Sequence, residues 1–206
     1  MSANQHSQFR SLTARGAATR SRIVNAAADL IYEHGVDRTS LDEVMAAGGV
    51  SKSQLYHYFA DKDALVLEVI AVQAERVLAA QQPHLDALDS LRALRAWGQA
   101  IIRLNEQVHM GGCPLGSLAN ELANTSESAR KRLAGDFATW IDRIEHGLAK
   151  MRARGELAKS ADPRELAIAL LSAVQGGLLL AKTTRTSRPL EIAMDMAIDH
   201  VARHMT

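Results

Sequence analysis

The stretch Thr39-Ser40-Leu41-Asp42-Glu43-Val44-Met45-Ala46-Ala47-Gly48-Gly49-Val50-Ser51-Lys52-Ser53-Gln54-Leu55-Tyr56-His57-Tyr58-Phe59 decides the fold. It holds two helix-start signatures in close succession. Ser40 followed three residues later by Glu43 is a capping box: the hydroxyl accepts from the third helical amide, and the acid reaches back to the cap amide. Ser51 and Gln54 repeat the device. Between them Gly48-Gly49 stops the first short helix, and the second runs to about Tyr58. Two short helices joined by a glycine turn describe helix-turn-helix geometry. Leu41, Val44, Val50, Leu55 and Phe59 are the apolar positions that would pack them onto a preceding helix. Spacing alone is met equally by a plain three-helix bundle.

Upstream, Thr19 is a candidate cap for that preceding helix, whose apolar positions Ile23, Ala27, Leu30 and Ile31 recur at helical spacing. Gly35 suits the left-handed position beyond its end. Residues 1–18 are rich in Ser, Gln, Ala and Arg without a periodic pattern, and read as a disordered basic arm. Downstream, Asp61 opens a longer helix towards Ala80. From Pro83 the helices lengthen. Leu85, Leu88, Leu91, Leu94, Trp97 and Ile101 predict one buried face from Leu85 to about Val108. Met110-Gly111-Gly112 breaks it and Cys113-Pro114 restarts the chain. Further helices follow over Ser126–Arg154, from Asp162-Pro163-Arg164-Glu165, and from Pro189 to His204. No strand is evident. The expected class is all-α, with about nine helices: an arm over 1–18, a helix-turn-helix domain over 19–64, and a helical domain over 65–206.

The 206 residues suffice for one large or two modest domains, and 47% are hydrophobic. A single cysteine, Cys113, excludes an intramolecular disulfide and a multi-cysteine zinc site. His109 and Cys113 are separated by a glycine break, and His200 with His204 reads as a solvated helix end, so no metal site and no cofactor is expected. No secretory signal follows the N-terminal basic residues. The most apolar run, Leu166–Ala181, is shorter than the about 20 residues that span a bilayer. A cytoplasmic protein without membrane association is expected.

Residues 23–65 resemble the DNA-binding domain of the TetR family of bacterial transcriptional regulators. The residues that carry the resemblance are Gly49-Val50-Ser51, then Leu55-Tyr56-His57-Tyr58-Phe59, then Lys62, preceded by Gly35 and Thr39-Ser40. Met45 and Gly48 depart from the alanines usual in the family. The resemblance implies a homodimer on double-stranded, palindromic operator DNA, with a C-terminal domain for a small-molecule effector. Gly112-Cys113-Pro114-Leu115-Gly116-Ser117-Leu118-Ala119-Asn120-Glu121-Leu122 resembles a subset of multidrug- or electrophile-responsive repressors.

Each candidate residue follows from that frame. Leu55 and Phe59 face inward, which leaves Lys52, Ser53, Gln54, Tyr56, His57 and Tyr58 for the groove, beside the cap residue Ser51. Gln54 can pair with an adenine edge, and Ser53 can reach a base or a phosphate. By resemblance, the Tyr56 hydroxyl, Thr39, Ser40 and Lys62 grip the DNA backbone. Apolar effector-pocket walls are Trp97, Ile101, Leu104, Val108, Leu118, Leu122, Phe137, Trp140 and Ile144, with Asn105, His109 and Asn120 as polar anchors. They suit a hydrophobic or aromatic effector. Cys113 at a helix start is a candidate thiolate sensor. The helices from Pro163 and Pro189 supply the dimer face, with Leu170, Val174, Gly177, Leu178, Ile192 and Met196. Two other readings stand beside this one: a small thiol-dependent enzyme built on Cys113, and a DNA-binding protein without an effector.

The net charge of +1, from 24 basic and 23 acidic side chains, argues against nucleic acid only as an average. Residues 1–28 carry Arg10, Arg15, Arg20 and Arg22 and no acid, so the remainder of the chain is mildly acidic. The basic charge sits next to the expected reading head.

Overall fold

The structure is a computed structural model and describes residues 13–206. The part of the expected arm over 1–12, Arg10 included, lies outside the described residues. The described chain is all-α: α1 Ala14–His34, α2 Leu41–Gly48, α3 Lys52–Tyr58, α4 Lys62–Ala80, a 3₁₀ turn His84–Ala87, α5 Leu91–Gln107, α6 Pro114–Leu122, α7 Glu127–Ala153, α8 Pro163–Thr184 and α9 Arg188–Ala202. It forms two compact units, one ending at Val69 and one over Ile70–Thr206, so the division falls inside α4 and later than the 64/65 boundary read from sequence.

In the first unit the caps act as the residues dictate. The Ser40 hydroxyl accepts from the Glu43 amide at 3.2 Å, and Glu43 accepts from the Ser40 amide at 2.8 Å. That backbone bond, with one from the Ser40 hydroxyl, holds the Glu43 carboxyl below the usual carboxylate range. Gly49 lies at φ 60°, ψ 43°, a left-handed turn that its missing Cβ permits. Gly35 has positive φ but an extended ψ of 167°, so the left-handed helical position expected there is not formed. Val44, Leu55 and Phe59 are buried, whereas Leu41 and Val50 are half-buried. Helix α1 begins earlier than the apolar pattern suggests. Thr13, not Thr19, is its cap, accepting from the Gly16 amide at 3.2 Å. The turns before Ile23 are rich in Ala and Arg, good helix formers, on a largely exposed surface, so they form helix without leaving an apolar stripe to read.

In the second unit the face expected to run unbroken from Leu85 is divided. The chain leaves the 3₁₀ turn at Leu88, and α5 restarts at Ser90, whose hydroxyl accepts from the Ala93 amide. Leu85, Leu88, Leu94 and Trp97 are all buried nonetheless. The break seats the Leu88 carbonyl against α7 at Gly147, where an added Cβ would collide with it. Trp97 Nε1 donates to Gln81 Oε1 at 2.9 Å inside the core, and Gln81 in turn donates to Val77 O.

Helix α8 runs between α7 and α9. Its 22 residues outrun the apolar stretch expected to fall short, and by length and composition it is long enough to cross a membrane. It packs instead as a core helix. Leu170, Val174, Gly177 and Leu178, expected at a dimer face, are buried within the chain. The reason is Gly177: a Cβ there would lie 2.8 Å from Leu190 Cα, so the glycine brings α9 onto that side of α8. The apolar side chains left exposed are Ile168, Leu179 and Leu180 on α8 and Ile192 and Met196 on α9. The chain end is tied down as well: Ala158 donates to the His204 carbonyl and Thr206 to that of Glu156.

Two glycines on α7 separate packing from propensity. Gly147→Ala lowers stability by about 2 kcal/mol or more, because the methyl meets backbone that cannot rotate away. Gly135→Ala, at a position with nothing within 4 Å, raises it by about 0.5–1 kcal/mol through helix propensity. Urea unfolding followed by circular dichroism reads both, and responses of the same sign would sink the packing argument.

Candidate nucleic-acid interface and effector pocket

Helix α3 has seven residues, and within it Leu55 alone is buried. Lys52, Ser53, Gln54, Tyr56 and His57 are exposed, and Tyr58 is half-buried. The His57 ring meets Tyr58 edge-on at 4.8 Å, and Tyr58 lies 6.5 Å from the buried Phe59 ring. Lys52, Ser53, Tyr56 and His57 therefore stand on one short, rigid element, anchored by Leu55 and closed by Phe59, whose amide donates to the Leu55 carbonyl.

Several residues assigned to DNA hold the fold together. Gln54 Oε1 accepts from the Ser51 amide at 2.9 Å, completing the second capping box. A bidentate pair with adenine needs that oxygen free. Thr39, expected on the backbone-gripping surface, is only 2% exposed. Its hydroxyl donates inward to the Gly35 carbonyl at 2.8 Å and closes the end of α1. The Ser40 hydroxyl is occupied by Glu43, and Ser51 caps α3. Lys62 Nζ donates to the Val36 carbonyl at 2.6 Å, which pins the start of α4 to the α1–α2 connection.

Sequence reading passed over Arg20 as a packing residue. Its guanidinium lies 5.5 Å from the Phe59 ring centroid and 2.7 Å from Glu68, so it joins α1, the end of α3 and α4. Its spacing from Phe59 in sequence carries no signal of this.

In the second unit the expected pocket walls separate. Trp97, Ile101, Leu118, Leu122, Trp140 and Ile144 are buried core. Leu104 is half-buried, and Val108 and His109 are exposed. Asn105 is buried, but it stitches the α5–α6 connection, donating to Met110 Sδ and accepting from the Gly112 amide. That leaves Cys113, Phe137 and Asn120, which do share a cavity of about 260 Å³ between α6, α7 and α8. Ser117, Gln175 and Lys182 line it too, and sequence reading missed them because α6 and α8 are far apart in the chain. Gln175 Nε2 approaches Cys113 Sγ at 3.5 Å, and Lys182 Nζ donates to Ser117 Oγ at 3.4 Å.

Cys113 is the cap residue of α6, as expected, but it is only 8% exposed. Burial pushes its thiol pKa up, against the opposing hydrogen bonds of the Gly116 amide, Gln175 and the Leu115 amide. The expectation of a thiolate favoured by the helix start is thus reversed by desolvation. Among the described residues no histidine or carboxylate lines the cavity. A second groove of about 440 Å³ runs along α7 past Asp86, Arg143, His146 and Lys150, where Arg143 and Asp86 already pair at 2.8 Å. Among the described residues no three possible metal ligands cluster.

Comparison with known proteins agrees with this arrangement. A family model described as bacterial regulatory proteins, tetR family, matches residues 23–69. A second, described as the tetracyclin repressor-like C-terminal domain, matches residues 87–197. The transcriptional regulator AcuR of Cereibacter sphaeroides is 30% identical over 173 residues, covering 82% of this chain and 78% of that protein. The HTH-type transcriptional repressor DhaR of Mycobacterium sp. (strain GP1) is 25% identical over 175 residues, 84% and 86% of the two chains. The crystal structure of a TetR transcriptional regulator from Chloroflexus aurantiacus J-10-FL superposes with a TM-score of 0.79 at 25% identity, covering 94% of this chain and 98% of that one. With a helix-turn-helix unit and a helical second unit both matched, the chain belongs to the TetR family of bacterial transcriptional regulators, DNA-binding proteins rather than enzymes.

Proposed function

We propose that the protein is a cytoplasmic, homodimeric repressor that binds a palindromic operator and releases it when a small effector occupies the second unit. The observation that carries the DNA part is the composition of α3, where every residue but Leu55 is at least partly exposed. Lys52 is the phosphate contact and His57, with Ser53, faces base edges. Tyr56 supplies a hydroxyl beside them. Gln54, Thr39, Ser40, Ser51 and Lys62 act one step back, holding α3 in place. The similarity to a protein named as a repressor supports repression over activation.

The exposed stripe of Ile168, Leu179, Leu180, Ile192 and Met196 supports the dimer. Met196 is 64% and Leu179 54% exposed, more than isolated large apolar residues need to be on a monomer. Two reading heads must lie about 34–36 Å apart to enter successive major grooves of one duplex face. A dimer through this stripe supplies the fixed spacing that a single seven-residue helix lacks.

Lys52→Ala weakens binding to operator and random DNA by the same factor and lowers the salt slope by about one, with the melting temperature unchanged. Lys62→Ala lowers the melting temperature as well, because it removes the Val36 bond. His57→Ala relaxes preference at one base position, costing about 1–3 kcal/mol there. Mobility shifts at several salt concentrations separate these outcomes, and a base-specific effect of Lys52→Ala would contradict its role. For the dimer, the double variant Ile192→Glu and Met196→Glu sediments as a folded monomer at micromolar concentration and loses operator binding. A dimer that persists in it would refute the assigned face.

A further inference from the structure

We infer that the cavity between α6, α7 and α8 binds a small organic carboxylate carrying a short apolar body. This deepens the effector reading and rests on it only for the consequence at DNA. Three observations converge. First, Lys182, a half-buried residue, lines the cavity, and among the described residues no carboxylate pairs with it. Its one hydrogen bond is to the Ser117 hydroxyl, at 3.4 Å. Among the described residues no acidic side chain lines the cavity. An ammonium with no carboxylate partner beside a hydroxyl donor is suited to hold an anionic ligand group through charge-assisted hydrogen bonds.

Second, two glycines clear the way for the α8 side chains. A Cβ at Gly112 would lie 3.0 Å from Lys182 Cδ, so the lysine stem lies along the loop before α6. A Cβ at Gly116 would lie 2.8 Å from Gln175 Oε1. The polar ends are thereby brought to the start of α6, where the Ser117 hydroxyl sits beside the ammonium. Third, apart from Asn120 the remaining wall is small or apolar, with Phe137 and Leu179 the large side chains that bound the same space. An ammonium with a hydroxyl at one end and a phenyl with an isobutyl group at the other fits a molecule with a charged head and a hydrocarbon body. This adds a charged head to the hydrophobic or aromatic effector expected from the sequence.

The test is titration calorimetry on the purified full-length protein, without DNA, using benzoate and hexanoate as probes and benzamide and hexanamide as neutral isosteres. The carboxylates bind saturably, and the amides bind more weakly by about tenfold or more. Lys182→Met keeps the stem and removes the charge, so it lowers carboxylate affinity by a similar factor while leaving the amides unaffected. Lys182→Arg restores part of the loss. Equal binding of acids and amides, unchanged affinity in Lys182→Met, or no carboxylate binding at millimolar concentration each overturns the inference. The same proteins are then assayed for operator release. Carboxylate binding without release would leave the site standing and remove the effector reading, whereas release without binding at Lys182 would do the opposite.

Discussion

The second unit depends on one close approach. At Gly177 the backbones of α8 and α9 come so near that even a methyl group on α8 would press into Leu190. This contact fixes the rotation of α8 about its own axis. Once the Leu170, Val174, Gly177 and Leu178 side is committed to the core, the other sides have no choice. Ile168, Gln175, Leu179 and Lys182 then share another stripe of α8, exposed at Ile168 and bordering the cavity beside α6 at Gln175, Leu179 and Lys182. One glycine therefore bears both on which apolar residues are left exposed and on which polar residues reach the cavity. The same device operates, with an even closer approach, where the Leu88 carbonyl packs against Gly147.

What was legible in the sequence was what short spacing encodes. The capping boxes Ser40/Glu43 and Ser51/Gln54, the turn at Gly49 and the start at Asp162-Pro163 all involve residues within about four positions, and all stand where they were read. Thr13 was passed over because the first turns of α1 bury nothing and so show no period. The α5 start at Ser90 was hidden because Leu85 and Leu88 remain buried on the far side of the break, which keeps the apolar spacing going. The orientation of α8 was not legible, since a helix apolar on most sides offers no stripe to choose between core and surface. The cavity was out of reach for a different reason: it is assembled from α6, α7 and α8, and its polar residues are ordinary in their own segments.

Cys113 shows how a local rule is outweighed. The amides at the start of α6 do lower its pKa, as a helix start should. Burial under neighbouring helices raises it further than they lower it, and that burial has no trace in the residues around position 113. Gln54, Thr39 and Lys62 teach a related lesson in the first unit. Each has the chemistry to meet DNA, and each has a partner inside the unit that uses the same atoms.

The single buried position of α3 has a consequence for how such a protein diversifies. A helix of seven residues is too short to persist alone, and this one is held by Leu55, by the cap at Ser51 and by Phe59 at its exit. Those anchors lie on its inner side or at its ends. Lys52, Ser53 and His57 can therefore be exchanged with little effect on whether the unit folds. On the proposed reading of α3, a change of target sequence needs only a few surface side chains to alter, with the core of the unit left untouched. The residues that hold α3 in place and those it leaves exposed are, in this molecule, different residues.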